Sequence, residues 1–381
     1  MKNKNIFIVV SQNIDKRNFD RFGYQVYKKK GWKVKTIYLE NEKQNKDLKT
    51  KDIIFKPIYI NNVIDVFRKT KKIKDSIIYY LCNETFLQMI MGLYLLINNN
   101  ILILRYDVIP SGQVVKKKIS FYLKKNILKK IFQVFSLYLV RFINNIIYFF
   151  YKKKIVCCVV GNKSLEKIKS FFVNKVFTHT YDYDIFLNDQ KRKKAQTKIV
   201  FLDQYEENHP DYERINIKPV TKKIYFESLN KFFDIVEKKY NKQIIIAGHP
   251  RSLKDSNRNF GGRKIIYNNT YKLIKNSFFV IAHDTTALNF ACLLKKSILL
   301  IYTNEMKQNN FKINSILNFS SALGVEPINI DKINNKTLKL NNKIDKKKYV
   351  RYINDYISSN KKNLKSNEIL EEYLNNFVKC S

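Results

Sequence analysis

The chain has 381 residues, about twice the size of one ordinary domain, so two domains with a core each are the natural expectation. An apolar fraction of 45 % with 14 % aromatics excludes a disordered chain. The formal charge of +40 points to a nucleic acid, an anionic membrane surface or a phosphorylated substrate, or else to the codon bias of an AT-rich genome, which the scarcity of Gly (9) and Pro (6) fits.

The apolar run Ile6–Val10 is too short for a signal peptide, which predicts a cytoplasmic protein, and it reads instead as a buried parallel strand. A helix is expected from about Phe19 to Lys30, stopping at Gly31, and then a strand over Trp32–Leu39. Further strands are expected at Asp52–Ile58, Ser76–Leu81 and Ile101–Arg105, with a helix over about Glu84–Ile97. Alternation of this kind implies a parallel sheet covered on both faces.

Lys116 to Lys154 mixes Phe, Tyr, Leu and Ile with Lys and Arg and reads as a long basic, aromatic helical segment. No run in it reaches the roughly 18 uncharged apolar residues that span a bilayer, because Arg141 and Lys152-Lys153-Lys154 interrupt it. Two readings stand: a surface that lies on anionic lipid, peripheral to the inner membrane, or a pair of core helices with basic outer faces. Cys82, Cys157, Cys158, Cys292 and Cys380 lack CxxC spacing and read as reduced thiols.

A strand at Ile155–Val160 is followed by the polar stretch Asn188–Thr197, the best boundary between domains. The pattern then restarts, with strands at Lys198–Leu202, Gln243–Ala247, Ile265–Tyr267, Phe278–Ala282 and Ser297–Tyr302 and helices near Phe226–Tyr240, Tyr271–Lys275 and Thr285–Leu294. Domains are therefore expected at 1–190, containing the basic segment 116–154, and at 197–345, with a polar helical tail over 346–381 that has no core of its own.

The chemistry-bearing residues fall at strand ends, where open α/β sheets bind ligands. Ile244–Ala247 runs into Gly248-His249-Pro250-Arg251, where an imidazole can donate to a phosphate oxygen and an arginine adds a fixed cation; capping of the strand is the plainer alternative. Phe279–Ala282 runs into His283-Asp284-Thr285-Thr286, a predicted helix start whose free N–H groups and hydroxyls suit a phosphate, with simple capping again possible. A third loop, Asp203 to Asp211, carries Glu206, Glu207 and His209 and contains no HxxxH or DxD spacing, so no metal is expected. Asn259–Lys264 supplies a Gly-Gly turn without the GxGxxG or P-loop patterns.

With His249-Pro250 followed by Thr285-Thr286, the sequence resembles bacterial sialyltransferases and related surface-polysaccharide glycosyltransferases of the GT-B fold. The resemblance implies two Rossmann-like domains facing a central cleft. It also implies that His249 and the Thr285-Thr286 hydroxyls hold the phosphate of a CMP-activated donor, such as a nonulosonic acid; Pro250, Arg251, His283 and Asp284 are further candidates for binding the donor, no cofactor is expected, and the expected acceptor is a glycan or lipid-linked glycan. Its acidic motif is matched incompletely at Asp107, which stands alone with Gly112 displaced; Asp107 is the expected general base and Asp203 the alternative. Other GT-B transferases using a UDP- or GDP-sugar or a polyol-phosphate donor are the second reading. A nucleic-acid-binding role is disfavoured, since no recognised binding module is found.

Overall fold

The computed structural model describes residues 4–11, 14, 16–39, 57–81, 85–111, 127–189, 197–209, 212, 217–334, 336, 338, 344–360 and 362–380. Most of the strand expected at Asp52–Ile58, together with Cys82, Glu84, Gly112 and Asp211, lies outside the described residues. Two compact units are formed, one from Met1–Val108, Lys118–Tyr181 and Ser358–Ser381, the other from Ile109–Lys117 and Asp182–Ile357.

The first unit is built on seven parallel strands: β1 (Asn5–Val10), β2 (Lys33–Leu39), β3 (Ile58–Ile60), β4 (Ile77–Leu81), β5 (Ile101–Asp107), β6 (Ile155–Val160) and β7 (Asn174–Thr178), in the order β3-β2-β1-β4-β5-β6-β7. Strand side chains alternate between faces, so Ile6, Ile8 and Val10 enter one core while Phe7 and Val9 enter the other. Burial on both faces explains why these strands read as continuous apolar runs. The helix Ile127–Phe150 covers one face through Val140 and Ile147. The helix Ser366–Cys380 covers the other through Ile369, Leu370 and Leu374. Trp32 Nε1–H donates to Glu371 at 3.1 Å, which satisfies a buried indole.

The second unit has six parallel strands: β8 (Lys198–Leu202), β9 (Ile244–Gly248), β10 (Ile265–Tyr267), β11 (Ser277–Ala282), β12 (Ser297–Tyr302) and β13 (Ile328–Asn329), in the order β10-β9-β8-β11-β12-β13. Val200 and Leu202 face one core, Ile199 and Phe201 the other. In each sheet the order reverses beside the first strand, the arrangement of doubly wound nucleotide-binding folds. The reversal lies between β1 and β4 in the first sheet and between β8 and β11 in the second.

Several expectations are corrected. The helix expected over Phe19–Lys30 is two, Lys16–Arg21 and Tyr24–Lys29, broken at Gly23, whose φ of 76° is left-handed and where a Cβ would sit 2.5 Å from Asn367. Strand β5 runs on to Asp107. Residues 346–381 do not act as one tail: Lys346–Tyr352 packs Tyr349 and Tyr352 into the second unit's core, and Ser358–Ser381 returns to the first. The helix expected from Thr285 begins at Leu288, because the Thr285 hydroxyl accepts the Ala287 N–H at 3.3 Å and closes a turn first.

Candidate functional site

The loops after β8, β9 and β11 emerge side by side at the carboxyl edge of the second sheet, and two side chains from the residues just after β8 lace them together. Asp203 accepts the His249 N–H at 2.9 Å and the Tyr205 N–H at 3.0 Å. Gln204 accepts the Asp284 N–H at 3.0 Å and donates to its carboxylate at 3.2 Å. The His-Pro loop and the Thr-Thr loop are thereby tied to the strand between them, at the point where strand order reverses.

The support beneath is a buried ion network. Arg258 donates to both oxygens of Asp203 at 2.7 Å, to Glu207 at 2.5 and 3.3 Å and to Ser252 at 3.0 Å. Its guanidinium also lies over the rings of Tyr205 and Phe260 at 5.1 and 5.0 Å. Ser252 in turn donates to the His249 carbonyl at 2.9 Å. Burial pushes the Asp203 carboxyl up, but Arg258 and the N–H groups of His249 and Tyr205 more than reverse this and hold it below the usual carboxylate range. Its side chain is 0 % exposed and both oxygens are engaged, so the alternative base of the sequence analysis is a structural support that no acceptor hydroxyl reaches.

A second buried ionic group, of three residues, stands beside the reversal point. Lys312, from the helix Asn310–Leu323, donates to Glu206 at 2.7 Å and to Asp284 at 3.0 Å. Burial opposes the charge of Lys312, yet Asp284 and Glu206 hold it protonated beyond the ordinary lysine range. Asp284 is thus a carboxylate committed to Lys312 and Gln204, not a ligand for a nucleotide. His283 is corrected likewise: it is 0 % exposed, with Nδ1 bonded to the Ile301 carbonyl at 2.7 Å and Nε2 to the Tyr225 hydroxyl at 2.9 Å. A carbonyl only accepts, so Nδ1 carries the proton and His283 is a satisfied core histidine.

What remains open to a ligand is half-buried His249, exposed Pro250 and Arg251, half-buried Thr285 and exposed Thr286. The Arg251 N–H donates to His249 Nδ1 at 3.3 Å, which puts the ring proton on Nε2. Burial, His209, Arg251 and Arg258 depress the imidazole to about 4 against the opposing pull of Asp203, so His249 is a neutral donor at neutral pH. His209 lies with its ring centroid 5.2 Å from that of His249, which brings together two of the four histidines in the chain. Gly248 is demanded by β10, since a Cβ there would stand 2.5 Å from Tyr267. Sequence reasoning missed Arg258; the signal was an acidic loop at 203–207 that needed a cation to be buried.

In the first unit Asp107 ends β5, and both of its oxygens accept from Arg105 Nε at 3.1 and 3.0 Å. Arg105 also donates to the Tyr79 hydroxyl at 3.3 Å, Ser366 at 3.1 Å and the His179 carbonyl at 2.6 Å. Asp107 is about a third exposed, at 34 %. Among the described residues no group of three or more His, Cys, Asp or Glu could hold a metal ion. Nor, among them, is any helix long and apolar enough to cross a membrane.

Solved structures are similar in fold along nearly the whole chain. MurG of Acinetobacter baumannii is similar over 99 % of this chain and 100 % of its own, with a TM-score of 0.52 and 8 % identity. The glycosyltransferase SnogD of Streptomyces nogalater is similar over 92 % and 94 %, with a TM-score of 0.53 and 8 % identity. The fold is GT-B. A third GT-B-like neighbour, S. aureus MnaA in a co-structure with UDP, is similar over 99 % and 98 %, with a TM-score of 0.50 and 12 % identity. No protein-family model and no curated protein matches the sequence. Placed in the GT-B frame, the sialyltransferase resemblance rests on His249-Pro250 and Thr285-Thr286 alone.

Proposed function

We propose that this chain is an inverting glycosyltransferase whose second unit binds the nucleotide of a sugar-nucleotide donor. The carrying observation is that Asp203 and Gln204 tie the His249 loop and the Thr285-Thr286 loop to β8, at the point where the order of the second sheet reverses. In this reading His249 Nε2–H, Arg251 and the Thr285 and Thr286 hydroxyls meet the phosphate and stabilise the charge that grows on the leaving nucleotide. The acceptor hydroxyl, carried by a glycan or lipid-linked glycan, attacks the anomeric carbon as the sugar–phosphate bond breaks, and its proton passes to a carboxylate. We assign that base to Asp107, whose carboxylate is oriented by the forked contact with Arg105.

A UDP-linked donor is favoured, because the MnaA neighbour holds UDP in a fold that matches this chain throughout. A CMP-linked donor is the second reading, carried by the His-Pro and Thr-Thr motif. Thermal unfolding of the purified protein with UDP, CMP and GDP separates them, since a ligand that binds only the native state raises the midpoint by mass action. UDP should raise it most, and His249→Ala should remove most of the rise. A larger rise with CMP selects the second reading; no rise with any nucleotide defeats both.

A further inference from the structure

From Phe135 onward the helix Ile127–Phe150 carries two apolar faces, although burial in its own unit requires one. Val140 and Ile147 fill the core. Around the opposite side, Phe135, Tyr138, Phe142, Ile146, Phe149 and Phe150 fall within an arc of about 120° at 3.6 residues per turn. These side chains are 62, 60, 63, 43, 49 and 77 % exposed. A continuous apolar stripe of this kind marks a surface with a partner.

Charge selects the partner. Between Asp107 and Glu166 the sequence has no acidic residue, whereas lysine triplets stand at 116–118 and 152–154, lysine pairs at 124–125 and 129–130, and arginine at 141. Lys152 Nζ lies 4.9 Å from the centre of the Phe149 ring, so a cation sits at the rim of the stripe. A second copy of this chain would set this basic, acid-free segment against itself, with like charges facing each other across the join. An anionic bilayer complements both features: aromatic side chains enter the boundary between headgroups and acyl chains, and lysines meet the phosphates.

We infer that the exposed stripe of the helix Ile127–Phe150 docks the protein onto anionic membrane surfaces, with Phe135, Phe142 and Phe150 entering the lipid and Lys152, Lys153 and Lys154 holding the headgroups. The placement suits an enzyme whose acceptor is lipid-linked, but it rests on this helix and not on the donor site.

Flotation of the full chain tests it, with vesicles of phosphatidylcholine alone and of phosphatidylcholine mixed with phosphatidylglycerol. The wild type should float with the anionic vesicles, and high salt should weaken the binding. A variant carrying Phe135→Ser, Phe142→Ser and Phe150→Ser should bind those vesicles at least about tenfold more weakly, with its thermal midpoint and its response to UDP unchanged. Equal flotation with neutral vesicles, no flotation, or undiminished flotation of the variant would overturn the inference. So would a dimer, seen by sedimentation, that the variant dissociates. Loss of the UDP response in the wild type would defeat the donor reading alone and leave this one standing.

Discussion

The carboxyl edges of the two sheets have the same topology and are furnished in opposite ways. In the second sheet the ionic groups lie beneath the surface: Asp203 is spent on Arg258 with Glu207, and Asp284 on Lys312 with Glu206, while His249, Arg251, Thr285 and Thr286 are half-buried or exposed beside them. At the edge of the first sheet Arg105 is the hub, and most of its donors go to Tyr79, Ser366 and the His179 carbonyl, which ties the returning C-terminal segment to the strands. Only its Nε is spent on the part-exposed Asp107. The same doubly wound order thus supports a braced binding edge in one unit and a single carboxylate on a structural arginine in the other.

The largest effect should come from the brace. Asp203→Ala leaves Arg258 buried without its main partner and should cost about 3–5 kcal/mol of stability in denaturant unfolding. Asp107→Ala should cost less than about 1 kcal/mol, since the pair it breaks is part-exposed and Arg105 keeps its other partners. Similar costs at the two positions would dissolve the contrast. In turnover the ranking should invert: Asp107→Asn should lower kcat by a factor on the order of 100 with nucleotide binding unchanged.

A smaller effect separates two histidines. Burial depresses both His179 and His249 to about 4, from an ordinary value near 6.5. Each is therefore neutral in the native state while its unfolded form takes up a proton below 6.5. Stability should be complete above that pH and decline as pH falls toward 4. A phosphate placed on His249 would favour its protonated form, so UDP should flatten the part of the decline that His249→Asn also removes. The part that belongs to His179, which bonds Ser358 at 2.5 Å within the first unit, should persist with UDP present.

Much of the scaffold was legible in the sequence because parallel strands buried on both faces appear as short β-branched runs; β1, β6, β8 and β12 are of this kind. Strands β7 and β13 were not, because edge strands such as Asn174–Thr178 and Ile328–Asn329 are short or mixed and carry no such run. The break at Gly23 depends on Asn367, far along the chain, and no local pattern announces it. Of the site, His249 and the threonines were legible from their place after apolar strands. His283 and Asp284 share that place, and only the packing of Tyr225, Ile301 and Lys312 around them shows that they face inward.

The central claim is that the nucleotide binds at the edge of the second sheet and not at the equivalent edge of the first. Photolabelling with an azido-substituted uridine diphosphate, followed by peptide mapping, tests this directly. Adducts should fall in the loops after β8, β9 and β11, within 203–212, 249–258 and 283–289, and excess UDP should suppress them. Adducts concentrated at the ends of β1, β4 or β5, beside Asp107, would contradict the account.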